Sequence, residues 1–141
     1  MTKLNPYLSF HQNAREAMTH YQAVFGGELR IDTFENYREM GVPENELTLV
    51  MHSQLETPDG LTLMGADTPS HMGYAAPQGA TISVSVSGED EARLEAIWSG
   101  LADGGSVTMP FDTPPWGGRF GMLTDKFGVN WMVALNASEA E

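Results

Sequence analysis

One short pattern occurs twice in this chain. Leu55, Gly60 and Met64 recur as Leu123, Gly128 and Met132, each 68 positions later. Leu55-Glu-Thr-Pro-Asp-Gly60-Leu-Thr-Leu-Met64 therefore overlies Leu123-Thr-Asp-Lys-Phe-Gly128-Val-Asn-Trp-Met132, and both read as strand, turn at glycine, strand. Upstream in each half an amphipathic segment runs into a glycine pair, Gly26-Gly27 and Gly104-Gly105, at an offset of 78. The first half thus carries about ten additional residues between its second and third strands. Two copies of one supersecondary unit predict a pseudo-twofold arrangement with a site between them.

At 141 residues the chain suits one compact core. Each half is marginal alone, so the halves are expected to share a core or to complete it in a homodimer. The absence of cysteine excludes disulfides, thiolate catalysis and cysteine-ligated zinc. No apolar run approaches the roughly 18 residues of a membrane span, and the first residues lack a signal-peptide core. A soluble cytoplasmic protein is the expectation. The net charge of −12 argues against a nucleic-acid partner, since a phosphate backbone would be repelled.

Along the chain, Tyr7-Leu-Ser-Phe10 alternates as a strand, and Asn13-Ala-Arg-Glu16 is a capping-box pattern. Ala14, Ala17, Met18, Tyr21, Val24 and Phe25 then follow helical spacing to the glycine stop. Glu28 to about Phe34 reads as a strand, and 35–47 as a polar, mobile excursion. Thr48–Glu56 and Leu61–Ala66 form a hairpin around Gly60, and Asp67 opens a Pro/Gly/Ser-rich linker. Module 1 spans about 1–67, the linker 68–79 and module 2 about 80–136. Thr81–Val86 is a strand, Ser87 with Asp90 caps a helix, and Leu94, Ile97, Trp98 and Leu101 form its apolar stripe. Strands at Ser106–Phe111, Arg119–Thr124 and Val129–Leu135 complete the second half. Each half is β-α-β-β-β.

Strand alternation separates two faces. Ile82, Val84 and Val86 are assigned to the helix side, with Leu8, Phe10, Trp131, Val133 and Leu135. Tyr7, Ser9, His11, Thr81, Ser83, Ser85, Asn130 and Met132 then take the opposite face, a mixed surface suited to a small ligand. A half-solvated sheet with no ligand is the competing reading.

The paired units resemble the vicinal-oxygen-chelate superfamily, which includes glyoxalase I, bleomycin-resistance proteins and extradiol dioxygenases. More closely, Tyr7-Leu-Ser-Phe, Ala14-Arg-Glu-Ala17, Tyr21…Val24-Phe-Gly-Gly27, Met51-His52 and Trp116-Gly-Gly-Arg-Phe-Gly-Met-Leu-Thr-Asp-Lys-Phe-Gly-Val-Asn-Trp-Met132 resemble its PhnB-like branch. The resemblance covers nearly the whole chain. It implies an α+β fold in which two βαβββ modules form a curved eight-stranded mixed sheet, usually within a homodimer.

The resemblance also implies four metal positions on the first and last strands of the modules. Here they fall near Tyr7, Met64, Thr81 and Met132, none of which is a His or carboxylate donor. A divalent ion needs nitrogen or oxygen ligands, and thioethers suit only soft ions. No metal is therefore expected.

His52, Gln54 and Glu56 share a strand face, but alternate positions lie about 7 Å apart, so only adjacent ones could act together. His52, His11 and Glu56 are the candidate catalytic residues, His11 as a general base after the first strand; an exposed polar face and a loop histidine without a role are their competing readings. Tyr7, Thr81, Ser83 and Met132 are candidate ligand-binding residues. Trp116 and Arg119 join them as an aromatic plane and a guanidinium fork at the pocket wall, against packing at a dimer seam. Some PhnB-like sequences carry a label tied to a ubiquinone-pathway methyltransferase. No glycine-rich loop after a strand supports an adenosyl or nucleotide cofactor here, so no cofactor is expected.

The expected function is small-molecule binding by a metal-free cup. The alternatives are a metal-dependent lyase, isomerase or dioxygenase, and a non-catalytic structural or regulatory dimer.

Overall fold

A computed structural model describes residues 3–70 and 82–136. The chain divides into two compact units, Met1–Ala76 and Pro77–Glu141. Unit 1 runs β1 (Tyr7–Phe10), α1 (Ala14–Phe25), β2 (Glu28–Thr33), β3 (Val50–Glu56) and β4 (Thr62–Asp67). Unit 2 runs β5 (Val84–Gly88), α2 (Glu91–Ala102), β6 (Ser106–Asp112), β7 (Arg119–Thr124) and β8 (Asn130–Leu135). The sheet orders are β1-β4-β3-β2 and β5-β8-β7-β6, each with its first strand parallel to its last. The fold is thus α+β, its eight strands hydrogen-bonded as two mixed sheets of four.

The repeat extends to single hydrogen bonds. Between β3 and β4, Thr57 N–H donates to the Leu61 carbonyl, and Gly60 N–H reaches the Thr57 carbonyl. Between β7 and β8, Asp125, Val129 and Gly128 do the same. Gly60 and Gly128 sit at φ 89° and 87°, a region glycine adopts without steric cost. The side chain closing each turn differs: Thr57 Oγ1 accepts from Leu61 N, whereas Asp125 Oδ1 accepts from both Phe127 N and Val129 N. The second Asp125 oxygen takes the Trp131 indole N–H at 2.9 Å, so this turn also orients the largest buried side chain.

Both helix starts differ from the sequence expectation. Asn13 makes no side-chain capping bond. Instead Asp67 Oδ1 accepts from Ala14 N at 2.9 Å, while Oδ2 accepts from Val50 N at 3.0 Å. A carboxylate from β4 thus meets the positive end of α1, and Asp67 is a buried strand residue rather than the start of a linker. In unit 2 the cap is Asp90, which accepts from Arg93 N, and Ser87 belongs to β5.

Glycines identify the helix side of each sheet. A Cβ on Gly65 would meet Phe10 and Met18, the latter on α1; one on Gly121 would meet Trp98 of α2. Through the register Val86↔Val133 and Gly121↔Val133, the buried valines share the α2 side. Phe10, Met18, Tyr21, Leu55 and Leu63 are core residues of unit 1; Leu94, Ile97, Leu101, Leu123, Trp131 and Val133 are core residues of unit 2. Trp98, expected in the core, is half-buried and stacked on Phe111 at 5.4 Å. Ile82, expected to face the helix, precedes β5 and is exposed.

The excursion before β3 is not simply polar. Three single turns, Phe34–Asn36, Arg38–Met40 and Glu44–Glu46, surround a cluster of Phe34, Val42 and Leu47, with Leu49 and Met51 packed on it. Buried Glu46 accepts from both the backbone N–H and the hydroxyl of Ser70.

Candidate functional site on the helix-free sheet faces

In unit 1 the face turned away from α1 carries Tyr7 and Ser9 of β1, Met64 and Ala66 of β4, His52, Gln54 and Glu56 of β3, and Arg30 and Asp32 of β2. Register aligns Tyr7 with Met64, Met64 with Gln54, and Gln54 with Arg30. His52 stands opposite Asp32. Tyr7 Oη and His52 Nδ1 lie 3.0 Å apart, with ring centroids at 5.7 Å, although β4 separates their strands. Ala66, one residue beyond Gly65 on β4, is a small neighbour beneath that reach. Burial raises the Tyr7 pKa above its ordinary 10.0, so near neutral pH the phenol remains a proton donor.

Glu56 is four residues along β3 from His52, about 13 Å at strand rise, and it pairs instead with Arg30 at 3.0 Å. His52 and Glu56 therefore do not form one group. His11 follows β1 in an exposed bend.

In unit 2 the corresponding face carries a row across all four strands: Met109 opposite Met122, Met122 opposite Met132, and Met132 opposite Ser85. Thr124 and Asn130 are joined by a 2.7 Å side-chain bond. Ser83 is half-buried just before β5, and Thr81 lies outside the described residues. The residue facing Met132 is Ser85, and the repeat contained the signal for it. The offset of 78 that relates the glycine pairs, applied to Tyr7, gives Ser85.

Trp116 is 74 % exposed in the loop before β7. Arg119 is occupied within its own unit. Its Nε and a terminal nitrogen donate to the Phe111 carbonyl, the other terminal nitrogen meets Glu91 and Glu95 of α2, and its guanidinium lies 4.1 Å from the Phe111 ring centre. Desolvation alone would lower its pKa, but the hydrogen bonds and charges of Glu95 and Glu91 outweigh that and raise it. Geometry thus makes Arg119 a clamp between β7, β6 and α2.

The fold's implied metal can be tested against these donors. The strand pairs supply Tyr7 with Met64 and Ser85 with Met132, a phenol, a hydroxyl and two thioethers. Neither pair, a phenol with a thioether in unit 1 or a hydroxyl with a thioether in unit 2, fits a hard or borderline divalent ion. Among the described residues, no group of three or more His, Asp or Glu is placed to hold a metal.

Residues 2–134 match the protein family described as 3-demethylubiquinone-9 3-methyltransferase. The chain belongs to this PhnB-like family. It is 30 % identical to Protein YjdN of Escherichia coli, with 92 % of each chain covered. Among solved structures, protein PA1353 from Pseudomonas aeruginosa is 33 % identical with a TM-score of 0.81, covering 98 % of this chain and 100 % of that one. A PhnB protein from Bacillus cereus, described as a putative 3-demethylubiquinone-9 3-methyltransferase, is 26 % identical with a TM-score of 0.75, covering 96 % and 100 %. A glyoxylase/bleomycin resistance protein/dioxygenase domain from Frankia matches at 15 % identity and a TM-score of 0.66, covering 100 % and 96 %, a likeness of fold. In this PhnB-like chain β1 passes to α1 through His11-Gln12-Asn13 and β5 to α2 through Glu89-Asp90. Neither connection is the glycine-rich phosphate loop of a nucleotide-type cofactor site.

Proposed function

We propose that this PhnB-like chain binds a small organic molecule on a helix-free sheet face without a divalent metal. The observation that carries the reading is that neither strand pair, Tyr7–Met64 in unit 1 or Ser85–Met132 in unit 2, supplies the His or carboxylate that divalent-metal chemistry would need. Half-buried methionines beside hydroxyls, an imidazole and an amide combine apolar contact with orienting hydrogen bonds. In the test, purified protein is incubated with excess zinc, nickel, manganese or iron(II), desalted and analysed for metal. Retention far below one ion per chain is expected, and about one ion per chain would overturn the metal-free reading. A thermal-shift survey of small aromatic and polar compounds tests binding, since a ligand at ~100 times its Kd stabilises by about 2.7 kcal/mol. Stabilisation should weaken in Tyr7→Phe or Met132→Ala, and a survey without any stabilising compound counts against the reading.

The Tyr7–His52 contact supports a second reading. A phenol and an imidazole at 3.0 Å form an acid–base pair that needs no metal. For any compound that binds, exchange of its acidic hydrogens with solvent deuterium, abolished by His52→Gln, would move the assignment from binding to proton transfer.

The same proposal makes the protein a homodimer. The sheet orders leave β1, β2, β5 and β6 each with one edge unpaired within its own sheet, and edges of this kind are commonly protected by a partner. Light scattering at ~micromolar concentration is expected to give twice the chain mass, and a monomer there would exclude it. No helix among the described residues is long and apolar enough to cross a membrane.

A further inference from the structure

The thioethers that disqualify a divalent ion recur in unit 2 at one level across three strands. Met109, Met122 and Met132 occupy consecutive register positions on β6, β7 and β8. A register shift between Val107 and Met109 is what brings Met109 opposite Met122 instead of one position away. Met122 and Met132 lie on the face opposite Gly121 and Val133, which is the α2 side, and the register sets Met109 opposite Met122 between two irregularities of β6. Met109 is 46 % exposed, and Met122 and Met132 are half-buried, so the row is open to solvent.

We propose that the Met109–Met122–Met132 row binds a single soft monovalent cation, copper(I), through its three thioether sulfurs. Adjacent strands lie about 4.8 Å apart, which puts β6 and β8 roughly 10 Å from each other across β7. Methionine is unbranched and has three rotatable bonds, so the outer two side chains can lean inward over the central Met122. Thioethers are soft ligands that select copper(I) over zinc, magnesium or calcium. The chain has no cysteine to compete for such an ion, and its charge of −12 favours a cation. Three of its nine methionines stand in this row.

The test uses silver(I), a redox-inert probe of the same softness, titrated calorimetrically into the full chain in chloride-free buffer. Copper(I) is then measured anaerobically by competition with a chromogenic chelator. One ion per chain is expected, and Met122→Leu should weaken it by roughly tenfold or more, since a leucine of similar volume donates no sulfur. Met40→Leu, which alters an exposed methionine in a turn of unit 1, should leave affinity unchanged. Circular dichroism checks folding. If Met122→Leu fails to fold, Met109→Leu and Met132→Leu decide by the same criterion. X-ray absorption should show sulfur ligands only. No stoichiometric binding, unchanged affinity in the row variants, or a nitrogen-dominated ligand shell would each overturn the proposal.

Discussion

Gly27→Ala and Gly105→Ala should each destabilise the protein by about 3 kcal/mol or more, far beyond an ordinary glycine substitution. A Cβ on Gly27 would run into the backbone carbonyl oxygen of Glu56, and one on Gly105 into that of Thr124. Both obstacles are strand backbone, at equivalent points where the chain leaves a helix and joins the hairpin. Backbone cannot step aside as a flexible side-chain end can. Gly27 also has φ +97°, which adds strain for any other residue. Gly60→Ala is the control: its φ is +89°, but a Cβ there meets nothing within 4 Å. Its expected cost is about 1 kcal/mol, from conformation alone. Urea denaturation of the three variants separates steric collision from backbone preference. If Gly105→Ala is no worse than Gly60→Ala, the close approach is not rigid.

Asp67→Ala is expected to cost about 2–4 kcal/mol, because it strands two buried donors at once. Ala14 N at the start of α1 and Val50 N at the start of β3 both lose their acceptor. Asp67→Asn keeps a single acceptor oxygen and should fall between wild type and alanine, whereas Asn13→Ala should be nearly neutral, since Asn13 makes no side-chain cap. Chemical denaturation of the three variants checks the order. A large loss in Asn13→Ala with little in Asp67→Ala would show that the cap is local after all.

That comparison also marks what the sequence made legible. The repeat, the periodicity of the strands and the glycine stops are local patterns, and they sufficed for the β-α-β-β-β order of each half and for the sides on which Val86, Trp131 and Met132 lie. Asp67 was misplaced because its role exists only through two partners, one of them 53 residues away. A lone acid before a Pro/Gly-rich stretch has the local appearance of a linker. The excursion was misjudged for the same reason: Phe34, Val42 and Leu47 have no regular period, and they become a cluster only when the chain doubles back. Within the site, the face of Tyr7 followed from alternation, which grouped His52 with Gln54 and Glu56 but did not place that group on Tyr7's side; the contact across β4 did not follow. Arg119 shows a further limit. Its residue type suits an anion, yet its donors are claimed by Phe111, Glu91 and Glu95, which sequence does not place beside it.

The cluster beneath the excursion has a consequence for how unit 1 opens. Because Phe34, Val42 and Leu47 pack chiefly on one another and on the neighbouring Leu49 and Met51, the segment has the makings of a separate cooperative unit. Its tie through Glu46 to Ser70 is a pair of hydrogen bonds, whereas β3 is laced into β2 and β4 along most of its length. Sub-global opening of unit 1 should therefore begin here, exposing this small core to solvent while the hairpin and its Tyr7–His52 face stay closed. The second half lacks the extra residues, and with them this low-energy route of partial unfolding.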